Sequence, residues 1–309
     1  MKTIRNIDDF KSKGKTILTI GTFDGVHLGH KKILDKVVAR AKEEGLESVV
    51  LTFFPHPRMV LQEKSEIKLL NTIEEKINLF EKIGIDYLII HPFDYKFSRL
   101  TSEEFVKTIL VDTFNIQKII IGYDHRFGRN RTADINDLIV FGNDYNFDVE
   151  QISAEEINAI AISSTKIRTA IQEGNIQLAN LYLGYPYSFS GKVVKGKQLG
   201  RTIGFPTANI QINEEYKLIP KNGVYIVKSV IDAVTVYGMM NIGTRPTVDG
   251  ENQTIEVHFL DFNANLYETT LEIVLMKFLR DETKFNSLDD LKAQIAKDQT
   301  STQQYISSL

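Results

Sequence analysis

The chain of 309 residues contains no cysteine. A disulfide framework and a metal site with cysteine ligands are therefore excluded. No apolar run approaches the roughly 18 residues of a membrane-spanning helix. The first residues, MKTIRNIDDFKSKGK, also lack the apolar segment of a secretory signal. These absences predict a cytoplasmic protein with no membrane partner.

A strong excess of charge of either sign is also missing. The 37 lysines and arginines are balanced by 40 acidic residues, which gives a net charge of −3. Proteins whose main role is to coat nucleic acid carry a basic excess, so no nucleic-acid partner is expected. A local basic cleft for a small anionic ligand stays possible. The length predicts about two domains of ~100–200 residues.

The hydrophobic pattern changes near Pro186. Residues 16–152 alternate short apolar runs, such as TILTIG (16–21), with stretches of helical periodicity. This alternation predicts an α/β domain with a parallel sheet covered on both faces. We place this first domain at residues 1–186.

Residues 187–309 form the second predicted domain. Their apolar runs follow one another without intervening helices until SLDDLKAQIAKD (287–298). Consecutive strands of this kind predict a small antiparallel barrel or sandwich. Leu288, Leu291 and Ile295 share one face of the last helix, which we expect to pack on that barrel.

The first strand-to-helix turn, GTFDGVHLGH (21–30), combines glycines with two histidines. In an open parallel sheet, ligands bind beyond the carboxyl ends of the strands, and a helix N-terminus offers free N–H groups to an anion. His27 and His30, one turn apart, could both face a phosphate held there. An ordinary turn with surface histidines is the alternative. A zinc site is less favoured, because no third ligand has suitable spacing.

A second polar cluster, ISSTKIR (162–168), lies at a predicted helix start. It supplies two hydroxyls and two cations, which suit the phosphates of a nucleotide. On its own, a capped and solvated helix start would be the commoner explanation for it.

In the second domain, GKVVKGKQ (191–198) comes close to a phosphate-binding P-loop. It ends in Gln198 where that motif needs serine or threonine, and no helix is predicted after it. A P-loop requires a strand, a loop and a helix in succession. We therefore reject this interpretation.

Three polar residues of the predicted barrel are better candidates. Thr207 and Asn209 are two apart in a strand, so they share a face, and their oxygens suit Mg²⁺ beside nucleotide phosphates. Glu256 alternates with Ile255 and Val257 in TIEVHFLDF (254–262) and could serve as a general base. A solvated outer strand face is the alternative for all three.

Taken together, the motifs resemble the bifunctional riboflavin kinase/FMN adenylyltransferases, the bacterial FAD synthetase family. GTFDGVHLGH, FFPHP (53–57), GYDHRFG (122–128) and ISSTKIR occur in the order and spacing of its adenylyltransferase module. The riboflavin kinase part is similar in GRTIGFPTANI (200–210), NGVYIV (222–227), MMNIGTRPT (239–247), IEVHFLDF (255–262) and FLRDETKF (278–285). The resemblance implies a Rossmann-like nucleotidyltransferase domain followed by a six-stranded Greek-key barrel with a terminal helix.

For the first domain, the resemblance implies transfer of AMP from ATP to FMN. His27 and His30 would donate to the α-phosphate or leaving group, and Arg168 would hold the β- and γ-phosphates. His56 would approach the flavin. The remaining nucleotide-binding residues would be Gly21, Phe23, Asp24, Gly25, Gly29, Asp124, Ser164, Thr165 and Lys166. Two residues depart from the family pattern: His125 replaces the usual phenylalanine, and Ala133 replaces a common glycine.

For the second domain, the resemblance implies phosphorylation of riboflavin by ATP. Thr207 and Asn209 would coordinate Mg²⁺, Glu256 would take the proton of the ribityl 5′-hydroxyl, and Arg280 would lie beside the flavin. Gly196 and Gly200 would belong to a segment that closes over the nucleotide. Two alternatives are an adenylyltransferase with a passive barrel and a non-catalytic regulator that binds flavin or RNA. The oligomeric state is left open.

Overall fold

The computed structural model describes residues 1–62, 65–153, 155, 162–196, 198–247 and 250–309. The chain divides into two compact units, Met1–Ser164 and Thr165–Leu309, and each is described by itself. The functional boundary that the sequence predicts near Pro186 stays a prediction.

The first unit is built on a six-stranded parallel sheet, as the alternating pattern predicts. The strand order is β1-β4-β3-β2-β5-β6, so the direction of winding reverses between β2 and β5. All five residues of β2 are buried, because helices cover both faces of the sheet. The strands are β1 (Lys2–Ile4), β2 (Thr16–Ile20), β3 (Glu47–Phe53), β4 (Tyr87–His91), β5 (Ile116–Gly122) and β6 (Asp148–Ile152).

The helices of this unit begin and end at local signals that the sequence carries. Gly45 and Gly84 stop two of them in the left-handed conformation, with φ of 66° and 86°. Thr72 begins the helix that Gly84 ends, and Thr101 begins another, each with a complete capping box. The helices are α1 (Leu28–Glu44), α2 (Pro57–Leu61), α3 (Ile73–Ile83), α4 (Tyr95–Ser98), α5 (Ser102–Glu104) and α6 (Ile135–Tyr145). A π-helical segment, Phe105–Thr113, continues α5.

The second unit contains the predicted antiparallel barrel. Six strands close in the order β10-β11-β8-β7-β12-β9, and each neighbouring pair is antiparallel. The strands are β7 (Ser188–Val194), β8 (Ala208–Gln211), β9 (Gly223–Ile231), β10 (Val234–Thr247), β11 (Gly250–Phe259) and β12 (Thr270–Arg280). Two helices precede the barrel: α7 (Ser164–Gln172), which starts at the last residue of the first unit, and α8 (Ile176–Leu183).

The helices of the barrel part differ from the prediction in two respects. A single turn, α9 (Leu199–Thr202), follows Gln198, where no helix was expected. It begins at a residue in the left-handed conformation, and the strand before it belongs to an antiparallel barrel, so a P-loop is still excluded. Lys197 of that segment lies outside the described residues.

The terminal helix, α10 (Leu288–Ser307), is longer than predicted and packs on different residues. Leu288 is 59% exposed, so its expected packing on the barrel was wrong. The buried residues of α10 are Asp298 and Thr302, whereas Leu291 and Ile295 are half-buried. The helix is held by polar contacts, which hydrophobic periodicity does not reveal.

Candidate active sites

The H-x-G-H loop connects β2 to α1 beside the point where the winding of the sheet reverses. This is where open α/β sheets bind ligands. The loop turns sharply, since Phe23, Gly25 and Val26 have φ of 45°, 86° and 35°. Residues other than glycine rarely adopt positive φ, and backbone strain of this kind concentrates at functional sites.

The two histidines of the loop lie against each other at the start of α1. Nδ1 of His27 accepts the N–H of His30 at 3.3 Å and so caps the helix. Their rings stack with centroids 3.7 Å apart. Because its Nδ1 is an acceptor, a neutral His27 carries its proton on Nε2, which is the nitrogen available to donate to a ligand.

Both histidines are neutral at pH 7. Burial lowers the pKa of His27 to about 4, although the charge of Asp24 opposes this shift. The pKa of His30 lies well below its usual value, first because of burial and then because of His27 and Lys76. Nδ1 of His30 is buried and has no hydrogen-bond partner among the described residues. The pair can therefore act as neutral hydrogen-bond donors.

A network below the loop fixes its backbone. Asp24 is 1% exposed, and its Oδ1 accepts the N–H of Leu70 at 2.9 Å. Ser164 Oγ donates to the carbonyl of Asp24 at 2.8 Å, so one residue of ISSTKIR contacts the H-x-G-H loop. Lys76 Nζ donates to the carbonyl of Thr22 at 2.7 Å.

The other predicted residues of the first site lie on helices or in turns. Thr165 and Lys166 are exposed in the first turn of α7, and Arg168 is half-buried on the same helix. His56 caps α2, because its Nδ1 accepts the N–H of Arg58 at 3.1 Å. Asp124 is exposed in the turn after β5.

The two departures from the family pattern lie in the loop that follows β5. Ala133 is buried and forms a backbone bridge with Phe127, with N···O distances of 3.1 and 3.3 Å. The ring of His125 stacks on that of Phe127 at 6.1 Å. Burial lowers the pKa of His125 to about 4, so this ring occupies the position of the usual phenylalanine as a neutral aromatic group.

The barrel carries a second polar site on its outer face. Glu256 of β11 pairs in register with Asn209 of β8 and with Asn241 of β10, so the three side chains share one face. Thr207 Oγ1 donates to Oε2 of Glu256 at 3.1 Å. Val257 is fully buried, which confirms the predicted alternation along β11.

Gly200 near this site is sterically required, whereas a side chain at Gly196 would have to displace the amide of Asn209. A Cβ on Gly196 would lie 2.3 Å from Nδ2 of Asn209, and one on Gly200 would lie 2.2 Å from the carbonyl of Phe205. No real Cβ makes contacts this short. The glycine-rich segment therefore approaches the proposed metal ligand directly.

The guanidinium of Arg280 is bound to the terminal helix. Its Nε and Nη2 donate to the carboxylate of Asp298 at 2.8–3.1 Å, and its Nη1 donates to the carbonyl of Asp281 at 3.0 Å. The guanidinium lies 5.9 Å from the ring centre of Phe285. This fixed orientation leaves its flat face as the surface that could meet a flavin.

Sequence reasoning missed two residues of these sites. Lys76 interrupts the apolar face of α3 between Ile73 and Phe80, a signal that could have identified it. Asn241 reaches Glu256 only through the pairing of β10 with β11, which no local pattern predicts.

Comparison with known proteins assigns a family to each of the two parts of the chain. A sequence model of the FAD synthetase family matches residues 9–166, and one of the riboflavin kinase family matches residues 183–306. A bifunctional riboflavin kinase/FMN adenylyltransferase of Buchnera aphidicola is 41% identical over 96% of this chain and 96% of its own. The namesake from Listeria monocytogenes is 39% identical over 95% and 93%. The chain belongs to the bifunctional riboflavin kinase/FMN adenylyltransferase family.

A similar fold is found in a crystal structure described as a macrolide-efflux protein from Streptococcus pneumoniae. It matches with a TM-score of 0.88 and 30% identity over 98% of both chains. In the part of this chain that the structure describes, no helix is long and apolar enough to span a membrane. The similarity to this structure is therefore one of fold.

Proposed function

We propose that the chain makes FAD from riboflavin in two ATP-dependent steps. The barrel phosphorylates riboflavin to FMN, and the α/β unit transfers AMP from ATP to FMN with release of pyrophosphate. The observation that carries this proposal is that the residues matched by each family model include two polar side chains in contact with each other. These pairs are His27 with His30 at the start of α1 and Thr207 with Glu256 on the barrel.

In adenylyl transfer, a phosphate oxygen of FMN attacks the α-phosphorus of ATP. No side chain needs to become covalently attached, so catalysis consists of positioning and stabilisation of developing charge. Nε2–H of His27 and the ring of His30 donate to the α-phosphate or the leaving group. A single donor of this kind is worth about 10²–10³ in rate.

The triphosphate of ATP needs further donors and cations. Arg168 and Lys166 supply charge, and Ser164 and Thr165 supply hydroxyls, for the β- and γ-phosphates. The contact between Ser164 Oγ and the carbonyl of Asp24 supports the assignment of Ser164, because it places this hydroxyl beside the loop of the histidines. Asp124 is assigned to the adenosine and His56 to the flavin.

In riboflavin phosphorylation, Glu256 accepts the proton of the ribityl 5′-hydroxyl as that oxygen attacks the γ-phosphorus. The hydrogen bond from Thr207 holds the carboxylate in place. Thr207 and Asn209 present oxygens on the same strand face, beside the carboxylate of Glu256, and this donor set suits Mg²⁺. The ion would neutralise charge on the nucleotide phosphates when bound. Arg280, oriented by Asp298, is assigned to the isoalloxazine ring.

The proposal is tested by incubating the chain with riboflavin, ATP and Mg²⁺ and following the flavins by chromatography. FMN should appear first and FAD later, and omission of Mg²⁺ should stop FMN formation. FMN without FAD would support the kinase alone and contradict the assignment of the histidines. FAD formed from supplied FMN but not from riboflavin would favour the adenylyltransferase with a passive barrel. Flavin binding without any turnover would favour the regulator.

A further inference from the structure

A lysine lies buried below the H-x-G-H loop, and none of the assigned roles accounts for it. Lys76, in the first turn of α3, is 4% exposed. It occupies the apolar face of that helix, together with Ile73 and Phe80. Lysine is almost never buried unless it is paired, because removing an ammonium group from water costs several kcal/mol. An apolar residue would serve packing better at this position.

The ammonium group is connected to His30 through the loop. Lys76 Nζ donates to the carbonyl of Thr22 at 2.7 Å, and the same oxygen accepts Oγ1 of Thr52 at 3.2 Å. The next residue, Phe23, has φ of 45°, and its ring contacts that of His30 edge-on at 5.2 Å. Fixing the Thr22 carbonyl therefore fixes the strained turn that places the Phe23 ring against His30.

The charges around Lys76 keep it cationic at neutral pH. Burial lowers its pKa to about 8, and the buried carboxylate of Asp24 opposes this shift. The positive charge in turn contributes to the lowered pKa of His30. The titratable groups that interact with this lysine are thus Asp24 and His30, and His30 remains neutral beside it.

We propose that Lys76 is a positioning residue for adenylyl transfer: it fixes the carbonyl of Thr22 and thereby orients His30 towards the reacting phosphate. Lys76 does not touch the reacting atoms, and it acts through Thr22 and Phe23. This inference rests on the proposed role of the H-x-G-H loop. It assigns a function to a residue outside the sequence motifs quoted above for the resemblance to the family.

The first test compares Lys76→Met with Lys82→Met in the full-length chain. Lys82 is an exposed lysine on the same helix and serves as the matched control. Lys76→Met should lower kcat for FAD formation at least 30-fold and change KM for ATP less than 3-fold. Riboflavin phosphorylation should be unchanged in both variants. A kcat for Lys76→Met within 3-fold of the unmodified chain would overturn the proposal.

The second test restores the ammonium group chemically. The chain has no cysteine, so Lys76→Cys introduces a single thiol that bromoethylamine converts to a lysine analogue. Because Lys76 is buried, the thiol is alkylated in denaturant and the chain is then refolded. Alkylation should recover at least one third of the FAD-forming rate. Recovery of the folded α/β unit without recovery of this rate would overturn the proposal.

A third readout separates positioning from general stabilisation. The chain has six histidines, so their ring signals can be followed by NMR during a pH titration. Lys76→Met should raise the pKa of His30, and alkylated Lys76→Cys should lower it again. If FAD formation instead falls in proportion to the unfolded fraction, with His30 unchanged in the folded fraction, the role of Lys76 is structural and the proposal is wrong.

The proposed function and this inference fail in different ways. An unmodified chain that makes no FAD from FMN and ATP would refute the adenylyltransferase assignment and this inference with it. An active unmodified chain with a fully active Lys76→Met variant would refute only the role of Lys76.

Discussion

At the scale of single residues, the barrel site depends on the carboxylate of Glu256. Glu256→Gln keeps the shape of the side chain and an oxygen that can accept from Thr207, but it removes the base. Since general base catalysis contributes about 10²–10⁴ in rate, riboflavin phosphorylation should fall by at least 10²-fold. Conversion of supplied FMN to FAD should be unaffected. Chromatography of the flavins measures both rates in one preparation.

A suitable control for Glu256→Gln is Glu272→Gln. Glu272 lies on β12 and accepts a hydrogen bond from Ser188 Oγ, away from the row that contains Glu256 and Asn209. This variant should phosphorylate riboflavin normally. A Glu256→Gln variant with the same rate as the control would refute the assignment of the base.

The residues of the two sites differ in how far the sequence could predict them. His27, Glu256 and Thr207 belong to short motifs, and their residue types already indicate their chemistry. Asn241 was missed because its place beside Glu256 depends on the register of two strands. Lys76 was missed because its contact with Thr22 joins residues that are 54 positions apart. Such contacts come from tertiary packing, and the only local sign of them is the break that Lys76 makes in the apolar face of α3.

At the scale of elements, His27 has two roles at the start of α1 that substitution can separate. It caps the helix through Nδ1, and it is proposed to donate from Nε2. His27→Ala removes both, and loss of a cap costs about 1 kcal/mol. His27→Asn keeps a capping oxygen and removes the imidazole. We expect the asparagine variant to be more stable than the alanine variant, with FAD formation at least 10²-fold reduced in both.

Thermal unfolding and initial rates of FAD formation from FMN measure these two effects. Riboflavin phosphorylation should not change in either variant and serves as the internal control. If asparagine restores FAD formation together with stability, then His27 is only a cap and its catalytic assignment is wrong.

The terminal helix is the element whose packing the sequence misjudged. Its apolar positions predicted contact through Leu288, which is exposed, whereas Asp298 is 6% exposed and binds Arg280 through two nitrogens. Helix length was also underestimated, because residues 299–307 are mostly polar and show no periodicity. By contrast, the capping boxes and terminal glycines of the first unit are local features that lie at the helix ends themselves.

The contact between Asp298 and Arg280 should hold α10 on the barrel. Asp298→Ala leaves the guanidinium without this partner. Breaking a buried ion pair costs about 3–5 kcal/mol, and the 23% exposure of Arg280 puts the cost here at the low end of that range. We expect faster hydrogen exchange in α10 and a higher KM for riboflavin, because Arg280 loses its orientation. Lys297→Ala, an exposed neighbour, is the control. Unchanged exchange and KM in Asp298→Ala would contradict both roles.

At the scale of the whole molecule, the histidines with a lowered pKa all lie between residues 27 and 125. Burial is the main cause for each, and His27 and His125 reach about 4. The pKa values of His30 and His91 are also lowered. Four neutral histidines in one unit make the stability of that unit depend on pH.

The sign of this dependence follows from proton binding. Between pH 6.5, the usual histidine pKa, and about 4, His27 and His125 are protonated in the unfolded chain and neutral in the folded unit, and the lowered pKa values of His30 and His91 act in the same direction. The unfolded state therefore holds more protons, and the free energy of unfolding of the first unit falls as the pH drops. Each histidine contributes up to about 1.4 kcal/mol per pH unit within this range.

We therefore expect acid to inactivate FAD formation before riboflavin phosphorylation. After brief heating at pH 7, 6 and 5, the two residual activities are measured at pH 7, and the midpoint temperature for FAD formation should fall more steeply. His125→Phe removes one of these histidines and keeps a ring against Phe127. The midpoint temperature for FAD formation should therefore depend less on pH, by at most the contribution of one histidine. Parallel loss of both activities at every pH would contradict the prediction. A pH dependence that His125→Phe leaves unchanged would mean that His125 does not stay neutral in the folded unit. The remaining acid sensitivity would then have to come from the histidines of the H-x-G-H loop and His91.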